Sequence, residues 1–306
     1  MSHTTSRPNP GAHAADQEAV QTAIFKKLYP EDYLRRHLSE NVREDGRAFD
    51  AARDVSVATG VTQNAFGSAL VRLGSGTIVT AAVQGHVCEP HHERPTEGFV
   101  VPTVDMSPLC SPEFKPGPPS DEVQVVAHRL QMFLTESRFI PRTALCLVPG
   151  AAVWALYVDV VCVSADGCVL DAAALACVAA LRQCTLPAHV AGTDARSCVF
   201  DASRRIPLAT HGLPALLSSS VIDSTYLVAD PTAFEESLAS AALHIGIQLE
   251  GAGDRDMFSI MQLGSCMAHV RGERLANDAL VEHCVAAARR RAEALVPLLQ
   301  HATPSP

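Results

Sequence analysis

The most regular hydrophobic pattern in the chain is the apolar, β-branched run Val153–Val163. Proline and glycine precede this run and Asp166-Gly167 follows it, so it predicts a strand that is buried on both faces and ends in a tight turn. The next segment, Ala172–Cys184, carries small apolar residues on nearly all sides and predicts a helix packed closely against a sheet. Asp171 precedes this helix, where we expect its carboxylate to cap the first turn.

The first half of the chain otherwise alternates short β-type segments with helical ones. Residues 18–39 have apolar positions at helical spacing that Pro30 interrupts, which predicts two short helices. A helix of about eighteen residues is predicted to begin at the acidic pair Asp121-Glu122, since acidic side chains favour a helix N-terminus. The predicted strands are Asp54–Thr59, Ala65–Leu73, Thr77–Gln84 and Gly98–Val104.

After Pro187 the pattern of strands followed by a helix starts again. A long helix is predicted over Leu275–Leu299, and Gly251–Asp254 predicts a hairpin turn. The predicted strands are Pro207–Thr210, Leu213–Ile222, Ser224–Ala229, Ala241–Leu249 and Met257–Gln262. We therefore expect an α+β protein of two halves, at residues 29–187 and 188–300. Residues 1–28 are expected to be a disordered tail and the start of a helix, and residues 301–306 a C-terminal tail.

Composition narrows the function classes. The chain has 306 residues, 47% of them hydrophobic, and a formal net charge of −9. This charge disfavours a strongly basic nucleic-acid binder, although it leaves room for a local basic patch. Most of the ten cysteines lie in apolar runs, the chain opens on polar residues, and no apolar run reaches the roughly 20 residues of a membrane span. We expect a soluble intracellular protein with free thiols.

Three aspartates form the strongest candidate acid cluster. Asp159 lies in the apolar strand, Asp166 in the turn and Asp171 at the helix start. Turn formation and capping explain the last two, and Asp159 is expected to pair with an arginine. A metal-dependent hydrolase built on Asp159 and Asp166 remains an alternative. A second group, His86, Cys88, Glu89, His91 and His92, has no spacing typical of zinc and is interpreted as a solvated loop.

Basic residues are scattered along the chain, and together they could line an RNA-binding path. Contacts to phosphate would give such a path affinity that does not depend on sequence. The candidates are Arg43, Arg47, Lys115, Arg129, Arg138, Arg204 and Arg205.

Several of these stretches together resemble the RNase PH family. Asn41–Arg47 resembles the Arg-Pro-Asp-Gly-Arg entry of that family, and further matches follow in the family's order. They are Gly67–Gly74, Gly98–Asp105, Gly117–Pro119, Val148–Trp154, Leu156–Gly167, Leu170–Ala172 and Asp230–Thr232. Within the family, the chain is most similar to the catalytically silent RNase PH-like ring subunits of the eukaryotic exosome. The resemblance implies an α+β fold of the RNase PH type (ribosomal protein S5 domain 2-like), in which two βαβ-type halves pack mixed sheets on helices.

The resemblance also implies an incomplete active site. Active members follow Ala-Asp-Gly with a Gly-Thr-Arg-Thr loop that holds phosphate, whereas this chain has Cys168–Asp171. A second phosphate-binding arginine would fall near Pro119-Ser120 and is missing. Two metal-binding aspartates of active members align with Glu236 and Ala242. Phosphorolysis needs a cation for inorganic phosphate and metal-bound charge for the transition state, so we expect no catalysis, no metal and no cofactor.

The function expected from this resemblance is that of a structural ring subunit of the RNA exosome. Its expected partners are other RNase PH-like ring subunits, cap proteins, associated nucleases and single-stranded RNA in the central channel, without membrane or DNA. Residues expected to contact RNA are Lys115, His128 and Arg129. Residence in the nucleus, nucleolus and cytoplasm is expected as well. The alternative is an active phosphate-dependent 3′→5′ exoribonuclease, which needs an arginine at position 169 or 170.

Overall fold

A computed structural model describes residues 20–112, 114–192, 195, 197–249, 257–264, 268–270, 273–275 and 277–300. The chain forms two compact units, residues 1–49 and residues 50–306. The domain boundary expected at residues 187 and 188 stays a prediction. In the part of the chain that is described, no helix is long and apolar enough to cross a membrane.

The described part of the first unit contains the two short helices that the pattern predicts. Helix α1 covers residues 20–28 and helix α2 covers Pro30–Ser39. Pro30 occupies the first turn of α2, where its missing N–H costs no hydrogen bond. Phe25 makes an edge contact with Tyr33 at 6.3 Å between ring centroids, which links the two helices.

A mixed six-stranded sheet forms one half of the second unit. Its order is β1-β2-β3-β6-β4, with β5 paired to β6. The β4–β6 pair is parallel and the other pairs are antiparallel. The strands are β1 Val55–Thr59, β2 Gly67–Leu73, β3 Thr77–Cys88, β4 Phe99–Met106, β5 Cys146–Val148 and β6 Ala152–Ser164.

A strand pair and a second mixed sheet follow. Strands β7 and β8 pair with each other, and the second six-stranded sheet has the order β12-β11-β9-β10-β13-β14. Only the β10–β13 pairing is parallel among its described pairs. The strands are β7 Thr185–Ala191, β8 Val199–Pro207, β9 Pro214–Ile222, β10 Tyr226–Ala229, β11 Ala239–Gln248, β12 Met257–Leu263, β13 Ala268–Val270 and β14 Glu273–Leu275.

Helix α4, Val169–Gln183, is the centre of the core. It packs against β2 and β3 of the first sheet and against β9 of the second. Every residue from Leu170 to Leu181 is buried, and the many alanines let the backbones approach closely. The other helices of this unit are α3 Asp121–Glu136, a 3₁₀ turn at Arg142–Leu145, α5 Ala233–Ser237 and α6 Asn277–Gln300. Mixed sheets packed on helices confirm the predicted α+β fold.

Two glycines mark where the packing around α4 is tightest. A Cβ atom at Gly67 on β2 would collide with the carbonyl oxygen of Ala180. Gly167 has φ +77°, and a Cβ there would collide with the carbonyl oxygen of Pro231. The turn before α4 therefore needs glycine for its backbone conformation and for its close approach to the β10–α5 loop.

Three local predictions are wrong. Strand β6 is buried on both faces only in its first half, because Tyr157, Val161 and Val163 are exposed on the open face of the first sheet. Pro207–Thr210 is not a strand, since β8 ends at Pro207 and an irregular segment follows. Asp171 does not cap α4; the N-cap is Cys168, and Asp171 lies inside the first turn.

Further elements lie where no structure was predicted. They are β5, the 3₁₀ turn, β7, α5 and β13, together with β8 and β14 except for the last residue of each. The predicted hairpin turn at Gly251–Asp254 lies outside the described residues.

The Arg53–Asp230 ion pair fixes the loops around the start of α4. Two guanidinium nitrogens of Arg53 donate to the carboxylate of Asp230, at 3.1 and 2.8 Å, and the backbone N–H of Arg53 donates at 2.6 Å. The same side chain donates to the carbonyl oxygen of Asp166 at 2.6 Å. Asp230 is fully buried, and a guanidinium nitrogen of Arg291 on α6 lies 3.5 Å from its Oδ2. Burial would raise the pKa of Asp230, but the Arg53 hydrogen bonds and the Arg291 charge outweigh it and hold this pKa well below its usual range.

We expect Asp230→Asn to lower the free energy of unfolding at pH 7 by roughly 3–5 kcal/mol, because it leaves two largely buried guanidinium groups, those of Arg53 and Arg291, without the buried carboxylate that they share. Since the folded-state pKa of Asp230 is depressed, its contribution is present above the unfolded value of about 3.9. This contribution is lost as the pH falls from the unfolded-state pKa through the folded-state pKa. The difference in free energy of unfolding between wild type and variant should therefore narrow below about pH 4.

Urea unfolding at pH 7, 4 and 3 measures this gap. Glu97→Gln is the matched control, because it removes an exposed pair with Arg94 at 3.3 Å and should cost less than about 1 kcal/mol. A gap of the same size at pH 3 and pH 7 would contradict the assignment.

Candidate functional site

A cavity of about 640 Å³ opens beside the N-terminus of α4. Its walls come from the end of β4, from α3, from the turn before α4, and from β9, α5 and β11. Apolar residues such as Met106, Phe114 and Leu170 line it together with several serines. Among the lining residues, the ionisable side chains are Glu122, Arg129, Glu236 and His244.

Most of the positions at which the family resemblance implies an altered active site line this cavity. They are Val169 and Leu170, where the resemblance implies an arginine in active members, and Glu236 and Ala242, which it aligns with metal-binding aspartates. These residues come from α4, α5 and β11, so the fold brings together positions that are more than 60 residues apart in the chain. Pro119 and Ser120, near which a second phosphate-binding arginine would fall, line another recess instead.

Glu236 occupies the N-terminal end of α4. Its Oε1 accepts the backbone N–H of Cys168, the N-cap residue, at 2.8 Å. Burial raises the pKa of Glu236, and the hydrogen bond from Cys168 opposes this effect. A helix N-terminus normally attracts anions, and here the protein's own carboxylate holds that position.

Asp171, Ser218 and His244 form a buried hydrogen-bonded chain behind the cavity wall. The backbone N–H of Ser218 donates to Asp171 Oδ2 at 2.7 Å, and Ser218 Oγ bonds to Asp171 Oδ1. The same Oγ lies 2.6 Å from His244 Nδ1. Burial raises the pKa of Asp171 to about 7, against the opposing effects of the Arg291 charge and the two Ser218 hydrogen bonds. Asp171 therefore links α4 to β9 rather than capping its own helix.

Arg129 extends this chain into the cavity. Its Nη1 lies 3.4 Å from His244 Nε2. Burial lowers the pKa of His244 to about 4, and the neighbouring Arg129 charge lowers it further, so the imidazole is neutral at pH 7. Among the described residues, no carboxylate lies within ion-pair distance of Arg129.

The other two predicted RNA contacts lie apart from the cavity's polar chain. Lys115 is exposed and lines a second recess, of about 760 Å³, together with Asp105, Asp121 and Glu122. His128 is exposed on α3, one residue before Arg129 and therefore about 100° around the helix from it. The two recesses share Met106, Phe114 and Glu122. RNA contact by these three residues stays a prediction.

The predicted acid cluster does not form one site. Thr103 Oγ1 donates to Asp159 Oδ1 at 2.6 Å on the open sheet face, so the expected arginine partner of Asp159 is wrong. Asp166 lies 3.8 Å from Arg53 and accepts the backbone N–H of Ala233 at 3.4 Å. In the described ranges, no three side chains of His, Cys, Asp or Glu are grouped so that they could hold a metal ion.

Sequence reasoning did not single out Ser218 or His244. One usable signal was His244, an ionisable residue within the otherwise apolar run Ala241–Ile247. Another was the triplet Ser218-Ser-Ser220 in the middle of a predicted apolar strand. Polar residues in a buried strand need hydrogen-bond partners, and the partners here come from other elements.

Two family models match the chain. Residues 51–187 match the 3′ exoribonuclease family, domain 1, and residues 212–289 match the 3′ exoribonuclease family, domain 2. Among curated proteins, exosome complex component rrp43 of Schizosaccharomyces pombe is 35% identical over 277 residues, which cover 90% of this chain and 97% of that protein. Exosome complex component Rrp42 of Archaeoglobus fulgidus is 35% identical over 214 residues, 70% of this chain and 78% of that protein.

Solved structures agree with these matches. A chain of the Archaeoglobus fulgidus exosome with RNA bound to the active site superposes with a TM-score of 0.73 at 29% identity, covering 90% of this chain and 99% of that one. A chain of an archaeal exosome core gives a TM-score of 0.69 at 26% identity, with 90% and 98% coverage. Both family models match in order, and the rrp43 protein aligns with this chain over nearly its whole length. The chain therefore belongs to the 3′ exoribonuclease (RNase PH) family and is similar to exosome ring subunits.

Proposed function

We propose that this chain is a structural ring subunit of an RNA exosome, which supports 3′→5′ RNA degradation and RNA processing without cleaving RNA itself. The observation that carries the proposal is the chemistry of the 640 Å³ cavity. Positions that the resemblance aligns with catalytic residues of active members line this cavity, and in this chain they are Val169, Leu170 and Ala242 instead of an arginine and an aspartate.

The charges around the cavity support the absence of phosphorolysis. Inorganic phosphate would need a cation near the start of α4, but Glu236 already accepts the backbone N–H there. Arg129 comes from α3 and is turned towards His244. Glu122 and Glu236 add carboxylates to the same walls. An anionic substrate and a metal-bound transition state would both lack the groups that stabilise them.

The open face of the first sheet supports a role in assembly. Val101 on β4 pairs in register with Tyr157 on β6, and Val161 lies two pleats further along β6. These side chains are 36%, 39% and 39% exposed. The Thr103–Asp159 pair lies between them and satisfies its own hydrogen bond. Exposed apolar side chains grouped on one sheet face are typical of a contact surface, so we propose that a neighbouring RNase PH-like subunit covers this face. The relatives in the exosome structures support this choice of occupant.

The proposed partners are other RNase PH-like ring subunits, cap proteins, associated nucleases and single-stranded RNA that passes through the ring. The proposed locations are the nucleus, nucleolus and cytoplasm, where such a complex would process RNA. Both parts of the proposal rest on the family resemblance.

The pure, isolated chain should release no nucleoside diphosphate from single-stranded RNA when phosphate and magnesium are present, because no cationic side chain lies at the start of α4 to hold phosphate beside the scissile bond. Thin-layer chromatography of labelled product measures this, with the Archaeoglobus fulgidus exosome as positive control. Phosphate-dependent release that disappears in Glu236→Ala would contradict the proposal, whereas release that persists in this variant would come from a contaminating nuclease.

Native purification of the tagged chain from its own cells should yield a complex with other RNase PH-like subunits in equal amounts, measured by intact-complex mass. Tyr157→Lys combined with Val161→Lys should remove these partners, because two charges cannot be buried in an apolar contact. Leu109→Lys combined with Val125→Lys adds the same charge at other exposed positions and is the matched control. A free wild-type monomer, or a sheet-face variant that assembles like wild type, would overturn the corresponding part of the proposal.

Replacing Lys115, His128 and Arg129 together by alanine should weaken RNA crosslinking to this subunit in the assembled complex severalfold. Each lost phosphate contact removes sequence-independent affinity, so the loss should be larger at low salt. Arg94→Ala is the control, since Arg94 is exposed and outside both recesses. Crosslinking that stays at the wild-type level would exclude these residues.

A further inference from the structure

The hydrogen-bonded chain from Asp171 to Arg129 has one proton arrangement when Asp171 is ionised. A guanidinium group can only donate, so His244 Nε2 must accept from Arg129. The neutral imidazole then carries its proton on Nδ1 and donates to Ser218 Oγ. Ser218 in turn donates its hydroxyl proton to Asp171 Oδ1. Each step has one donor and one acceptor.

A proton on Asp171 has only one place in this chain. Oδ2 accepts the backbone N–H of Ser218 at 2.7 Å and therefore cannot become a donor there. The proton must sit on Oδ1 and donate to Ser218 Oγ. The Ser218 hydroxyl proton loses Oδ1 as its acceptor, and the other partner of Ser218 Oγ is His244 Nδ1. The buried hydroxyl keeps a hydrogen bond for its proton when His244 Nδ1 becomes the acceptor. The imidazole proton moves through solvent from Nδ1 to Nε2, so one proton enters at Asp171 and none leaves the chain.

We propose that Asp171, Ser218 and His244 form a proton-controlled positioning relay that holds Arg129 against the cavity wall when Asp171 is ionised and releases it when Asp171 is protonated. In the protonated arrangement, His244 Nε2–H faces an N–H of Arg129, and two donors cannot form a hydrogen bond. This relay goes beyond the proposed ring function and does not depend on it.

The surrounding charges place the switch near neutral pH. Asp171 faces Arg291 of α6, the Asp230 carboxylate at the end of β10 and the Cys168 thiol at the start of α4. Burial dominates these contributions and raises the pKa of Asp171 to about 7. His244 faces Arg129 of α3, and burial together with this charge keeps it neutral, with a pKa of about 4. Between these two values the imidazole can change its tautomer without becoming charged.

The chain offers a variant that imitates the protonated state at every pH. In Asp171→Asn, the amide oxygen can accept the Ser218 N–H while the amide NH₂ donates to Ser218 Oγ. Ser218→Ala is the opposite control, because it breaks the link and leaves Arg129 alone to set the tautomer of His244.

The test is the tautomer of His244, read from imidazole ¹⁵N shifts of histidine-labelled protein at pH 8.5 and pH 5.5, with His244→Gln to assign the signal. Wild type should carry the proton on Nδ1 at pH 8.5 and on Nε2 at pH 5.5. Asp171→Asn should show Nε2–H, and Ser218→Ala should show Nδ1–H, at both pH values. Wild type that keeps Nδ1–H at both pH values, as Ser218→Ala is expected to do, would overturn the relay.

A chemical measurement tests the Arg129 end of the relay. At pH 8, phenylglyoxal should modify Arg129 several times faster in Asp171→Asn than in wild type, with exposed Arg94 as the internal reference in peptide mass spectra. Equal rates would show that Arg129 is not released. If Asp171→Asn fails to fold, the wild-type and Ser218→Ala tautomers still decide for or against the relay.

Discussion

The burial of α4 between two sheets is the constraint on which the rest of this structure depends. A helix that is in contact with protein on nearly all sides must have small side chains, and its N-terminal N–H groups need hydrogen-bond partners. The chain meets the first requirement with its alanines. At the N-terminal end, Glu236 of α5 accepts the N–H of the N-cap residue Cys168, and Asp171 in the first turn accepts the N–H of Ser218 on β9, so α5 and β9 both meet this end of the helix.

The same constraint explains why the cavity has polar groups but little free charge. Glu236 satisfies the first N–H of α4, and Asp171 turns away from the helix to satisfy Ser218. Arg53 and Asp230 neutralise each other while they bind the turn before α4. The charged groups near the cavity are therefore largely engaged by the protein, which suits a scaffold better than an enzyme that must bind phosphate and metal.

The fold could be predicted from the sequence where the pattern was local. The β6 run and the Ala-rich helix had periodicity and flanking turns, and family motifs supplied their order. The exposure of one face of β6 could not be predicted. Tyr157 and Val161 are of residue types that are usually buried, and their exposure depends on which elements cover the sheet. Strands β7 and β8 were missed because their alternation is interrupted by bulges, at Pro187/Ala188 and at His189/Ala191.

The altered active site stays a prediction, which rests on the motif around Ala165–Asp171 and on an alignment of Glu236 and Ala242. The Asp171–Ser218–His244 chain could not be predicted, because its residues come from α4, β9 and β11, and nothing local in sequence indicates that they meet. Asp171 shows the limit of prediction from local sequence. An aspartate before an alanine-rich helix usually caps it, but the N-cap position fell to Cys168, three residues earlier, in a left-handed conformation.

The Glu236 carboxylate is an intramolecular ligand for the N-terminus of α4. An anion from solution must compete with a group whose effective concentration is set by the chain and not by the cell. An arginine introduced at position 169 or 170 would therefore first meet the Glu236 carboxylate, and phosphate could bind there only by displacing this internal ion pair.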